Sequence, residues 1–205
     1  ACAAVLRLGS FKGLQIARTK GRKPFLLSPL PEGEIANFNF NVSHEGDWVV
    51  LASEPICVCG VDVSAPHEVR LGATQRDVFE DVLPQLTADE WKVVHAEAAL
   101  RKDDPPGYQA FQRFWSAKEA FVKARGDGLG FEPLSRAEFR FEAIDENTNI
   151  ASVKVDGTSA PLWKFYQHRL GASHWVTVAR GPTSDVVDAD GAFIKTLRRP
   201  TPSFS

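Results

Sequence analysis

Short apolar runs open the patterned part of the chain. Residues 37–43, 48–53 and 56–63 are rich in Phe, Val and Ile, and the turn signals Glu45-Gly-Asp47 and Glu54-Pro55 separate them. Apolar segments of this length bounded by turn residues predict β-strands, and three in succession predict a meander. After Ser64-Ala-Pro66 the period lengthens to that of a helix. Residues 74–83 read as a first helix stopped by Pro84, and Thr87-Ala-Asp-Glu90 is a capping box that opens a second. This second helix carries Trp91, Val94 and Leu100 and ends at Asp103-Asp-Pro-Pro-Gly107. The third helix, from residue 108 to about 125, is the most strongly patterned, with Phe111, Phe114, Trp115, Phe121 and Val122 on its apolar side and Gly126 as C-terminal cap. Beyond it a period of two returns at residues 138–143, 150–155, 162–169 and 174–180, which predicts antiparallel strands. The tail after Gly181, with Pro182, Pro200 and Pro202, reads as loosely ordered. Strands, then helices, then strands define an α+β fold rather than a doubly wound sheet.

Charge changes the picture at the N-terminal end. Arg7, Lys12, Arg18, Lys20, Arg22 and Lys23 all precede the first acid, Glu32, although 24 basic and 26 acidic residues leave the 205-residue chain nearly neutral. Such a run is either a solvated face or a site for a polyanion, and the Gly-containing turn in Arg18-Thr-Lys-Gly-Arg-Lys-Pro24 supports the second. A pI near 6.2, with the basic excess confined to one segment, disfavours a nucleic-acid partner. Three cysteines, Cys2, Cys57 and Cys59, without zinc-ligand spacing, predict a reduced, cytoplasmic protein. The longest apolar stretches fall well short of the ~20 residues of a membrane-crossing helix, so no membrane role is expected. The chain starts at Ala1 and contains no Met, so its true start is expected upstream, which leaves organellar targeting open.

Four features could carry chemistry. Asp62, in Gly60-Val-Asp62-Val-Ser64, closes an apolar strand, where an unpaired carboxylate costs several kcal/mol; it is a turn or cap residue or a metal ligand. On the third helix Ser116, Glu119 and Lys123 fall at i, i+3 and i+7, a stripe opposite the aromatic side, and Glu119 and Lys123 are either an exposed ion pair or part of a site. Gly126-Asp-Gly-Leu-Gly130 lacks the Lys-Ser/Thr and preceding strand of a phosphate loop and reads as a helix stop and turn. Ser43-His44 sits just before a turn, and its histidine is structural or catalytic.

Taken in order, Arg18-Thr-x-x-x-Lys23-Pro24, Phe40-Asn-Val-Ser43-His44, Gly60-Val-Asp62 and Trp115-Ser-Ala-Lys118-Glu119-Ala-Phe121-Val-Lys123-Ala-Arg-Gly126-Asp-Gly128-Leu129 resemble the 4′-phosphopantetheinyl transferases. The likeness is to the Sfp type, and within it to the eukaryotic enzymes that act broadly on carrier proteins. The resemblance implies a monomer of two similar α+β halves related by a pseudo-twofold axis, with coenzyme A in the cleft between them. Residues 1–59 would form a first half, N-terminally truncated relative to the family, that holds coenzyme A phosphates; residues 60–181 would carry the metal and the catalytic helix, and 182–205 the tail.

The same resemblance implies transfer of the 4′-phosphopantetheine moiety from coenzyme A to a serine hydroxyl of an apo-acyl or peptidyl carrier protein, releasing adenosine 3′,5′-bisphosphate. Mg²⁺ would be the cofactor, with Mn²⁺ as a substitute. Asp62 and Glu119 would be the metal carboxylates, and Glu45 would complete the shell because this chain has Ser64 where bacterial members carry a third acid. Glu119 would accept the serine proton, Lys123 would contact the pyrophosphate, and Lys118 would add to the positive field. Ser43 and His44 would hold a coenzyme A phosphate, Arg18 and Lys23 would grip the adenosine-phosphate end, and Arg113 and Arg125 are candidates for the carrier-facing surface. Breaking a pyrophosphate requires that several negative charges be neutralised and an alcohol oriented in line, which agrees with that residue set. Two other readings stand beside it: a shortened relative that binds coenzyme A or a carrier without transfer, and a Mg²⁺-dependent phosphohydrolase acting on a nucleotide pyrophosphate.

Overall fold

A computed structural model of the chain describes residues 2–5, 7, 11–66, 79–100 and 107–200. A single helical turn, α1 (Cys2–Val5), precedes two antiparallel hairpins, β1 (Gln15–Arg18) with β2 (Pro24–Ser28) and β3 (Asn39–Glu45) with β4 (Trp48–Glu54). Then come β5 (Val58–Ser64), the helices α2 (Ala88–Leu100) and α3 (Tyr108–Arg125), and the strands β6 (Ala137–Ala143), β7 (Thr148–Val155), β8 (Thr158–Ser159), β9 (Lys164–Leu170) and β10 (His174–Gly181). The larger sheet has the order β5-β10-β9-β7-β6, with β8 paired to β7 and every pairing antiparallel. This mixed arrangement agrees with the expected α+β class.

The expected meander is broken at its third strand. β5 leaves the hairpin and pairs with β10, from Val58 opposite Gly181 to Ser64 opposite Trp175. Its other edge is closed by side chains of β3. Asn39 Oδ1 accepts the Cys59 N–H at 2.9 Å, Asn41 Oδ1 the Val61 N–H at 2.9 Å, Ser43 Oγ the Val63 N–H at 3.3 Å, and the Glu45 carboxylate the Ala65 N–H at 2.6 Å. Alternate residues of a strand point the same way, so a polar repeat on β3 replaces a main-chain ladder. Each bond contributes about 1 kcal/mol, and its loss would orphan a buried donor at greater cost.

Helix α3 lies across β5 and β10. Phe111, Phe114, Phe121 and Val122 are buried as expected, with Phe121 edge-on to Trp163 at 4.7 Å and to Phe131 at 5.5 Å between ring centres. The helix comes this close because Gly60 has no side chain: a Cβ there would lie 2.1 Å from the Ala120 carbonyl oxygen. Gly126 ends the helix in the left-handed region at φ 90°, its N–H bonded to the Val122 carbonyl at 2.9 Å. Ser116, expected on an outward stripe, is instead fully buried and donates to the Asp62 main-chain carbonyl at 3.0 Å, within reach of Thr177 Oγ1 at 2.8 Å.

The capping box of α2 forms as expected, with Thr87 N–H on the Glu90 carboxylate at 2.8 Å and Glu90 N–H on Thr87 Oγ1 at 3.2 Å. Of the expected first helix, residues 74–78 lie outside the described residues, and the remainder falls largely in a 3-10 stretch, Glu80–Gln85, that runs through Pro84. The turn expected over Asp103-Asp-Pro-Pro-Gly107 lies outside the described residues apart from Gly107. The segment after Gly181 departs from the expected loose tail. Its Val186, Phe193 and Thr196 are buried, Phe193 packs on Phe25 at 5.5 Å, and Asn37 both donates to the Arg199 carbonyl at 2.7 Å and accepts from its N–H at 2.9 Å. A chain with apolar anchors at such intervals has a surface to bury, and here it packs on β2 and ties down the segment just before β3.

Candidate active site

A cleft of about 810 Å³ opens between the β1–β2 and β3–β4 hairpins on one side and α3 with its following turn on the other. Ile16, Arg18, Arg22, Phe40, Val42 and His44 line the first wall; Trp115, Glu119, Val122 and Lys123 line the second. Gly21, Gly126 and Gly128 lie where the walls meet, and a Cβ at Gly21 would lie 1.9 Å from the Gly126 carbonyl oxygen. Glycines on both sides let the hairpin turn close on the turn after α3, since a Cβ at Gly128 would in turn lie 3.1 Å from the Gly21 carbonyl oxygen.

Asp62 sits behind Lys123 at the base of α3. Lys123 Nζ is 2.5 Å from Asp62 Oδ1 and 3.1 Å from Ser43 Oγ, while the Ser43 hydroxyl donates to the same Asp62 oxygen at 3.0 Å. The Asp62 side chain is 8% exposed and that of Lys123 30%, so the pair has one member inside the protein and one at the cleft surface. Burial pushes the Asp62 carboxyl above the usual range; Lys123 and the Ser43 hydrogen bond oppose that push, and the negative charge of Glu45 adds to it.

The structure brings together Arg18, His44, Glu119 and Lys123 of the expected set on the walls of one cleft. It moves three others. Ser43 points away from the open cleft into the Asp62–Lys123 contact. Lys23 reaches the cleft only with its stem, because its ammonium is buried and donates to the carbonyls of Cys59 at 2.6 Å and Lys123 at 3.0 Å. Burial lowers its pKa to about 8, against the weaker upward pull of Cys59. Lys118, expected to contribute positive field, is fully buried on the far side of α3, 2.8 Å from Glu90 and bonded to the carbonyls of Leu134 at 3.1 Å and Ala137 at 2.5 Å. An ammonium saturated by a carboxylate and two carbonyls has no donor left for a ligand. Arg113 and Arg125 are committed to Glu97 and Asp127.

Arg22 and Trp115 line the cleft although the sequence reading gives neither of them a site role. Arg22 lay in the basic run, and its φ of 68° at the hairpin turn is what presents it to the cleft rim. Trp115 belongs to the apolar side of its helix, of which it is the half-buried margin.

Among the described residues no three His, Cys, Asp or Glu side chains converge as a ready-made metal cluster. The donors that are present still suit a hard dication in kind: Asp62, Glu45 and Glu119 offer carboxylate oxygens, and the Ser64 hydroxyl, two residues from Asp62 on the same strand face, is buried without a hydrogen-bond partner among the described residues. Chemically, a cationic rim beside one buried and two half-buried carboxylates can neutralise a polyanion at one end and attract a cation at the other.

That arrangement is compatible with a phosphorylated, multiply charged ligand, and the comparisons make the class specific. The chain belongs to the 4′-phosphopantetheinyl transferase superfamily, which it matches over residues 58–179. Residues 2–56 match the family described as 4′-phosphopantetheinyl transferase, N-terminal. It is 34% identical over 166 residues to the phosphopantetheinyl transferase of Thraustochytrium sp., covering 81% of this chain and 55% of that protein. To the L-aminoadipate-semialdehyde dehydrogenase-phosphopantetheinyl transferase of Homo sapiens it is 34% identical over 176 residues, covering 81% and 53%. To the mouse protein of the same name it is 33% identical over 176 residues, with the same coverage. The chain therefore spans about half the length of the curated relatives it matches.

Proposed function

We propose that this chain transfers the 4′-phosphopantetheine arm of coenzyme A to a serine hydroxyl of an apo-carrier protein, with release of adenosine 3′,5′-bisphosphate. The observation that carries the reading is the joining of Glu119, Lys123, His44 and Arg18 in one cleft, with Asp62 buried behind Lys123. Arg18, Arg22 and His44 on the open wall bind and orient the phosphates of the donor; guanidinium groups suit this because their planar forks match phosphate oxygens. Lys123 neutralises charge at the pyrophosphate, and its flexible stem lets it follow that charge.

Asp62, Glu119 and Glu45 would hold Mg²⁺ or Mn²⁺, which supplies charge neutralisation at the bridging phosphates when bound. Glu119 takes the proton of the acceptor serine as its oxygen attacks, directly or through water. Trp115 and Val122 exclude water from the Glu119 side of the cleft. Within this reading the hairpin lobe stands as the counterpart of the α3 lobe across the cleft, and the protein acts as a monomer.

The test is the intact mass of an apo-acyl carrier protein after incubation with this chain, coenzyme A and Mg²⁺. A gain of one phosphopantetheine arm that EDTA abolishes supports the transferase. No gain from the folded chain with coenzyme A still bound would contradict it and favour a binding module. Release of adenosine bisphosphate without an acceptor would favour a hydrolase.

A further inference from the structure

The protein already carries a cation on the carboxylate assigned to the metal. Lys123 Nζ is 2.5 Å from Asp62 Oδ1, and Ser43 closes a triangle by donating to that oxygen at 3.0 Å while accepting from Lys123 at 3.1 Å. Asp62 is too buried to be neutralised by water, so in the absence of ligand this contact is what makes its charge tolerable. A dication ligated to the same carboxylate and an ammonium in contact with it would repel each other strongly in so enclosed a place. The two partners differ in freedom. Asp62 is fixed in β5 between a paired neighbour strand and the side chains of β3, whereas Lys123 rides on a four-carbon stem at the surface of the cleft.

We infer that Lys123 is the resident counter-ion of Asp62 in the ligand-free protein and is exchanged for the divalent cation, swinging from the carboxylate into the cleft as the metal arrives. The inference rests on the transferase reading only for the identity of Asp62 as a metal carboxylate. Its consequence is that Lys123 opposes metal binding before substrate is present. A phosphate in the cleft relieves that opposition by giving the ammonium a second partner, so metal and donor bind cooperatively.

The test uses the full chain with Mn²⁺ alone, without coenzyme A or carrier, and reads free Mn²⁺ by electron paramagnetic resonance. Lys123→Met is expected to bind Mn²⁺ at least tenfold more tightly than the wild type, and Asp62→Asn placed in that background to lose the gain. Lys123→Arg, which keeps a cation on Asp62, is expected to stay near the wild type. Lys123→Gln serves if the methionine variant does not fold. Mn²⁺ binding no tighter without the lysine, including no binding to either protein, overturns the exchange. A gain that survives Asp62→Asn also overturns it, because the competed site is then elsewhere. Failure of the transferase reading is seen separately, as wild-type protein that leaves the carrier's mass unchanged.

Discussion

Helix α3 carries two lysines five residues apart, and each meets a carboxylate. Lys118 with Glu90 and Lys123 with Asp62 look alike in the sequence, yet their surroundings assign them different work. The side chains of the first pair are 0% and 1% exposed, and every strong hydrogen-bonding direction is filled: Glu90 also accepts the N–H groups of Thr87 and Phe139, and Lys118 also donates to two carbonyls. The second pair is sealed on the Asp62 side and open on the Lys123 side, where the cleft begins. A closed pair can only hold elements together, because nothing can approach it without unfolding something. An open pair can change partners, as the proposed site would have to in handling a metal and a pyrophosphate. The lesson is that a charged motif divides into anchor and working groups by access, and access is decided by which side of the helix faces the sheet.

Four perturbations press on this contrast. The largest effect is expected from Asp62→Asn, which keeps the shape of the open pair and removes its charge: transfer should fall by about 100-fold or more while the melting temperature moves little by comparison. A variant with wild-type turnover at saturating Mg²⁺ would remove Asp62 from the site. Lys118→Met is expected to act in the opposite way, destabilising the chain by about 3–5 kcal/mol in urea unfolding because Glu90 is left buried and uncompensated. The double variant Glu90→Leu with Lys118→Met should recover much of that loss, as expected when a closed pair is replaced by apolar side chains.

The third perturbation is pH, through Lys23. Burial lowers its pKa from 10.5 to about 8, so the folded chain releases that proton more readily than the unfolded chain. The cost of burying the ammonium is borne in full below about 8 and fades as the pH rises above it. Relative to Lys23→Met, the wild type should therefore gain stability between pH 8 and 9, on the order of 1 kcal/mol. The comparison is made against the variant because burial also raises the Cys59 thiol to about 11, which acts in the other direction at higher pH. A flat difference across that window would contradict the buried, charged placement of Lys23. The smallest effect is expected from Arg18→Ala at the exposed rim: a rise in KM for coenzyme A of up to about fivefold with kcat unchanged.

Much of this was legible beforehand where local chemistry decides. The limits of α3, its glycine cap and the capping box of α2 follow from rules that involve only a few neighbouring residues, and they appear in the structure as the sequence implies. What needed the fold was the destination of each side chain. Lys118 and Lys23 have the same chemistry as Lys123, but one faces the Glu90 pocket and the other is drawn beneath the hairpin by two main-chain carbonyls. The third strand of the expected meander gives no sign of changing sheets, because its partner β10 comes more than a hundred residues later. The prolines of the tail suggest a loose segment, whereas the buried Phe193 and Val186 anchor it. Ser116 shows the same limit: a helical stripe says which residues are neighbours, and only packing says what they face.

The most direct test of the claim that the open pair and Glu119 form the working site is the intact-mass assay run with Glu119→Gln beside the wild type, at equal folded concentration, with Mg²⁺ and coenzyme A. The account predicts that the wild type adds one phosphopantetheine arm to the apo-carrier and that Glu119→Gln adds none over the same time, with both proteins unfolding at similar temperatures. Equal modification by the two would contradict it.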